Sequence, residues 1–139
     1  MAGSWSAYWY NGVIYSSEIA RGLDVLELQP NALLTQNELD AAKLVKLTYQ
    51  NVQDQQRLTW PASFVVARAY LDQLERAHGL APDRITAIRA ALGTAESATV
   101  QKRRTTLNAL ASQLTRDATT ASDGAKVRTL AGVVKDLAK

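Results

Sequence analysis

The chain has 139 residues, 47% hydrophobic and 21% charged, which excludes disorder along its whole length and leaves room for one domain rather than two. It contains no cysteine, so disulfide frameworks and thiolate chemistry are excluded and redox habit says nothing about compartment. The net charge of +3 is uneven: residues 1–60 carry four Lys/Arg against six Asp/Glu, and the rest carry twelve against seven. A nucleic-acid surface interleaves denser basic patches with aromatics. No aromatic residue follows Tyr70, so the basic half reads as solvated helix faces and nucleic acid is not an expected partner.

The first elements are strands. Residues 5–10 are rich in Trp and Tyr and run into Asn11-Gly12, then into Val13 to Ser17. Asn-Gly between two such runs predicts a two-residue hairpin, because both central positions of its turn need positive φ. Tyr10 then pairs with Val13, Trp9 with Ile14 and Tyr8 with Tyr15. Alternation places Tyr8, Tyr10, Val13 and Tyr15 on one face and Ala7, Trp9 and Ile14 on the other. After a polar connection from Glu18 to Gly22, Leu23 to Leu28 forms a third strand, which Pro30 stops. Leu23, Val25 and Glu27 face one way; Asp24, Leu26 and Leu28 face the other. Both faces of the ribbon are apolar or aromatic, the pattern of a sheet covered on two sides.

Everything after Pro30 reads as helix. Asn31 to Leu34 suggests a single turn. Thr35 and Glu38 have capping-box spacing, predicting a helix from Gln36 to about Leu47. Residues 48–59 are polar and read as a loop containing at most a helical turn. Pro61 opens a helix to His78 with Gly79 as its C′ residue, and Pro82 opens another that Gly93 ends. The longest helix spans Ala95 to about Ala118. Ser122-Asp123 caps the last, which buries Val127, Leu130, Ala131, Val134 and Leu137.

The expected fold is α+β and mostly α-helical: a short three-stranded antiparallel N-terminal β-ribbon followed by a loose bundle of four to five helices. Residues 1–29 form the ribbon and 30–139 the helical domain.

No constellation announces a reaction. His78 is the one histidine and sits at a helix end, where an imidazole interacts well with terminal carbonyls. Glu18 and Asp24 flank the hairpin connection and are the best placed pair for a metal or acid–base role, although solvated loop charge is the simpler reading. Glycines are isolated, so no phosphate-cradling loop is spelled out. The expectation is a non-enzyme with no catalytic, cofactor-binding or metal residues and no cofactor. Two groups stand out as an interaction surface: Trp5, Tyr8, Tyr10 and Tyr15, which offer large rigid contact area, and Lys102, Arg103 and Arg104, which are placed to meet anionic groups.

Residues 11–28 resemble a unit of the LVIVD-repeat cell-surface proteins, an exported bacterial and archaeal family whose repeats build β-propellers. Val13-Ile14-Tyr15 is similar to the first strand of such a repeat, and Gly22 to Leu26 to its second, of the kind Gly-Leu-x-Val-Phe-x-Leu. The residues from Pro30 onward resemble the helical extension that follows the last repeat in several of these proteins. A propeller needs several blades, and one unit is present here. The resemblance therefore implies the C-terminal piece of a longer exported protein, extracellular or periplasmic, whose partner is a protein or the remainder of that chain. Residues 1–5 lack the basic and apolar segments of a signal peptide, and no window approaches the ~20 apolar residues of a membrane span. With Met1 as the true start, the alternative is a free-standing cytoplasmic helical adaptor that self-associates.

Overall fold

The computed structural model describes residues 3–54 and 56–139. The chain divides into two compact units, residues 1–61 and residues 62–139.

The first unit is built on a three-stranded antiparallel sheet in the order β1 (Ser4–Tyr10), β2 (Val13–Glu18), β3 (Gly22–Leu26). Its register is the one that Asn11-Gly12 predicts, with Tyr10 opposite Val13, Trp9 opposite Ile14 and Tyr8 opposite Tyr15. Asn11 and Gly12 take φ of 51° and 99°, as the turn requires. Asn31 to Leu34 is not a helical turn. Asn31 and Leu34 exchange backbone hydrogen bonds of 2.8 and 3.2 Å, and the Asn31 side chain accepts the Leu33 N–H at 2.8 Å.

The capping box forms as expected. The Glu38 N–H donates to Thr35 Oγ1 at 3.3 Å, and the Thr35 N–H donates to a Glu38 carboxylate oxygen at 2.7 Å. The helix it opens, α1 (Gln36–Ala42), stops five residues short of the expected Leu47. The hairpin turn holds the residue at which the helix was expected to end. Asn11 accepts the Leu47 N–H at 2.7 Å and donates its amide to the Leu47 carbonyl at 2.9 Å, while the Tyr10 hydroxyl donates to that same carbonyl at 2.8 Å. Leu47's backbone is thereby committed to the sheet and cannot continue a helical ladder. Among the described residues between it and the second unit, the regular structure is a single 3₁₀ turn at Val52–Asp54.

The second unit contains α2 (Phe64–Arg76), α3 (Pro82–Ser97), α4 (Val100–Asp117) and α5 (Gly124–Leu137). In this bundle α2 and α4 each pack on both α3 and α5. Its core is closed to solvent: Leu71, Leu74, Ile88, Leu92, Leu107, Leu114, Leu130 and the valines of α5 facing them have no exposed surface. Each such side chain contributes about 1.5–3 kcal/mol relative to exposure. Alanines at 67, 95, 111, 118, 131 and 138 intervene in the same core and let the helices approach closely.

Four helix ends differ from the sequence reading. Ser63, not Pro61, begins α2, its hydroxyl accepting the Val66 N–H at 3.2 Å. The left-handed residue at its C-terminus is His78, at φ 51°, rather than Gly79. Gly79 is required for space instead: a Cβ there would lie 2.8 Å from Leu74 Cδ2 and 3.0 Å from Asp123 Cβ. Gly93 does not end α3, which runs on to Ser97, because one glycine in a helix costs only about 1 kcal/mol. The break falls at extended Ala98, so the longest helix starts at Val100 rather than Ala95. Asp123 caps α5 as expected, accepting the Lys126 N–H at 2.9 Å.

Candidate interaction surface

The sheet of the first unit has two unlike faces. One carries Ala7, Trp9, Ile14, Ser16, Glu18 and Leu26. Ser16 and Glu18 are buried, and Trp9 shares a cavity with Leu39 and Ala42 of α1. The other carries Tyr8, Tyr10, Val13, Tyr15, Leu23 and Val25. The sequence pattern asks for cover on both sides; the first face has it in part, with Leu26 51% exposed, and the second face is more open. Leu23 is 63% exposed, Val25 56% and Tyr8 45%, with Tyr15 also at the surface.

Tyr10 is different in kind from its neighbours. Its ring meets that of Tyr15 edge-on, with centroids 6.3 Å apart, and its hydroxyl is held by Leu47. It is a fixed support under the face rather than a free contact. Trp5 stands in the register shift between Ser4 and Ser6 and is the most exposed aromatic among the described residues. Tyr49 extends the aromatic surface, lining a shallow groove with Tyr8 and Tyr10. It belongs to the loop after Leu47, where no periodicity marks a face, and it is 69% exposed rather than an anchor.

The two edges of the sheet also differ. β1 is interrupted by the shift at Trp5, the kind of irregularity that discourages strand addition. β3 pairs with β2 in unbroken register and presents Leu23, Val25 and Leu26 without a lysine, proline or bulge along the strand.

Glu18 and Asp24 do not form a shared site. The Glu18 carboxylate accepts three backbone N–H groups, from Gly3 at 2.8 Å, Ala20 at 2.8 Å and Arg21 at 2.7 Å. These donors, Gly3 foremost, hold its pKa below the ordinary carboxylate value of 4.5. Asp24 is engaged by the Arg21 guanidinium at 2.8 Å, which lowers its pKa as well. Among the described residues no three His, Cys, Asp or Glu side chains gather as a metal site would require. His78 lies exposed at the end of α2.

The basic triplet separates on α4. Arg103 turns inward, donating to the carbonyls of Ala95 at 3.2 Å and Glu96 at 3.1 Å and stacking 5.9 Å from the centre of the Phe64 ring. It caps the carboxyl end of α3, where a cation is favoured. Lys102 and Arg104 are exposed. The triplet is therefore two solvent-facing cations around a structural one.

Among the described residues no helix is long and apolar enough to cross a membrane. No protein-family model matches the chain, and neither does any curated protein or solved structure.

Proposed function

We propose that this chain is a non-catalytic structural and interaction module whose N-terminal sheet is completed by strands from outside these 139 residues. In this reading it is the C-terminal piece of an exported LVIVD-repeat-like protein, extracellular or periplasmic. β1 to β3 are its last strands, and α2 to α5 serve as an attachment or protein-binding tail. The observation that carries the proposal is the uncovered face and regular outer edge of the sheet, with Leu23, Val25 and Tyr8 standing in water. Contiguous apolar surface of this kind marks a site of association rather than an ordinary exterior.

A second reading, a self-associating adaptor, is favoured by the β3 edge itself, which is as open to a copy of the same strand as to a foreign one. Both readings require the edge to be used. In sedimentation velocity the 139-residue chain should associate as its concentration rises, and Val25→Lys, which places a charge on that edge, should leave a monomer. A wild-type chain that stays monomeric throughout would overturn both. The DNA upstream of the Met1 codon separates them: in-frame strand repeats and a signal sequence support the exported protein, and a stop codon with a promoter supports the adaptor.

A further inference from the structure

The first unit holds a cavity of about 250 Å³ that none of the foregoing uses. Its walls are Trp9 from β1, Leu28 and Leu34 from the segment after β3, Leu39 from α1, and Leu58 and Trp60 from the residues that follow the 3₁₀ turn. Leu39 is buried and forms the floor; Leu28 and Trp60, 44% and 41% exposed, leave the mouth open.

Two charged residues border it, and both are engaged elsewhere. The Glu38 carboxylate closes the capping box on the Thr35 N–H. Lys43 contributes its methylenes, packed so closely on the turn that a Cβ at Gly12 would lie 3.0 Å from Lys43 Cγ, while its ammonium donates to Glu27 at 2.8 Å. A charged guest would lose its hydration with these partners already taken, and that loss is large. An apolar guest loses nothing and covers four leucines and two indoles. The space is sufficient, since a cavity of roughly 150 Å³ lined by aliphatic and aromatic side chains holds a benzene ring. Two of the walls are held by hydrogen bonds, α1 by its capping box and the hairpin by the clamp between Asn11 and Leu47.

We infer that the cavity between Trp9 and Trp60 is a binding site for a small, uncharged, largely apolar ring compound. The test uses the full ¹⁵N-labelled chain and p-xylene as probe, read at the indole N–H signals, assigned with Trp5→Phe and Trp60→Phe. The signals of Trp9 and Trp60 should shift saturably, while exposed Trp5 stays still. The charged analogue p-toluate should bind at least tenfold more weakly. Ala42→Leu, which adds bulk to the cavity wall, should weaken p-xylene binding at least tenfold. Should that variant fail to fold, the contrast between the two probes on the native chain decides alone. Three results would each overturn the site: no shift up to the solubility of p-xylene, equal binding of p-toluate, or a linear drift shared by all three indoles. Signals of Trp9 and Trp60 that move with protein concentration in the absence of probe would assign the cavity to a second copy, and would overturn it too.

Discussion

The two units solve the same problem with opposite results. The helical unit removes its large apolar side chains from water, apart from Val100 at the start of α4. All of the largest fully buried side chains, from Leu71 to Val134, belong to it. The sheet unit contains none of these, and it leaves Trp5, Leu23, Leu33, Val25 and Tyr49 more than half exposed. The difference is not one of composition, because both halves are rich in hydrophobic residues. It lies in geometry: four amphipathic helices close a core among themselves, whereas a three-stranded sheet and a two-turn helix have one face too many to cover. Surface left over in this way is where a partner gains free energy by binding.

The contrast breaks or sharpens under substitution. The largest effect is expected in the helical core, where Leu92→Ala should cost about 2–5 kcal/mol in denaturant unfolding because the cavity cannot collapse against its neighbours. Leu23→Ala on the open sheet face should stay within about 0.5 kcal/mol. Equal costs at the two sites would show that the sheet face is covered in solution. A smaller effect, confined to the sheet, is expected from acid. Glu18 is held ionised by the N–H groups of Gly3, Arg21 and Ala20, so its folded pKa is lowered. Its contribution is complete above the ordinary value of 4.5 and disappears as pH falls below that through the lowered folded value. Asp24 with Arg21 and Glu27 with Lys43 change in the same direction. Trp9 emission should therefore respond below pH 4.5, and Glu18→Gln should flatten that response. An unchanged acid profile in the variant would remove Glu18 from the account. The smallest effect is a gain. Gly93 lies within α3 with nothing near an added Cβ. Gly93→Ala should raise stability by about 0.5–1 kcal/mol, and a loss on thermal unfolding would show that the helix needs that freedom.

Local chemistry made much of this legible. Asn11-Gly12 specified a turn, and the turn specified the register of every residue from Tyr8 to Tyr15. Thr35 with Glu38, and Ser122-Asp123, marked helix starts that the structure contains. What escaped was decided at a distance. Leu47, where α1 was expected to end, is held by Asn11 from 36 positions away. Gly79 is needed for space rather than for φ because Leu74 and, from far along the chain, Asp123 crowd it. Within the surface, the aromatic alternation of the strands was readable. The tethering of Tyr10 and Arg103 was not, since both depend on carbonyls that sequence does not place. The cavity was invisible for a related reason: Leu28, Leu58 and Trp60 come to it from irregular segments, which carry no period to read.

The unequal edges of the sheet have a last consequence, which concerns number. A sheet that accepts strands on both sides can extend without limit, as fibres do. If the sheet takes up a strand as proposed, the interruption at Trp5 disfavours one side and leaves β3 as the regular edge, so the sheet would have a valency of one. Whatever joins it, a foreign strand or a twin, occupies the sole vacancy, and growth terminates after a single addition.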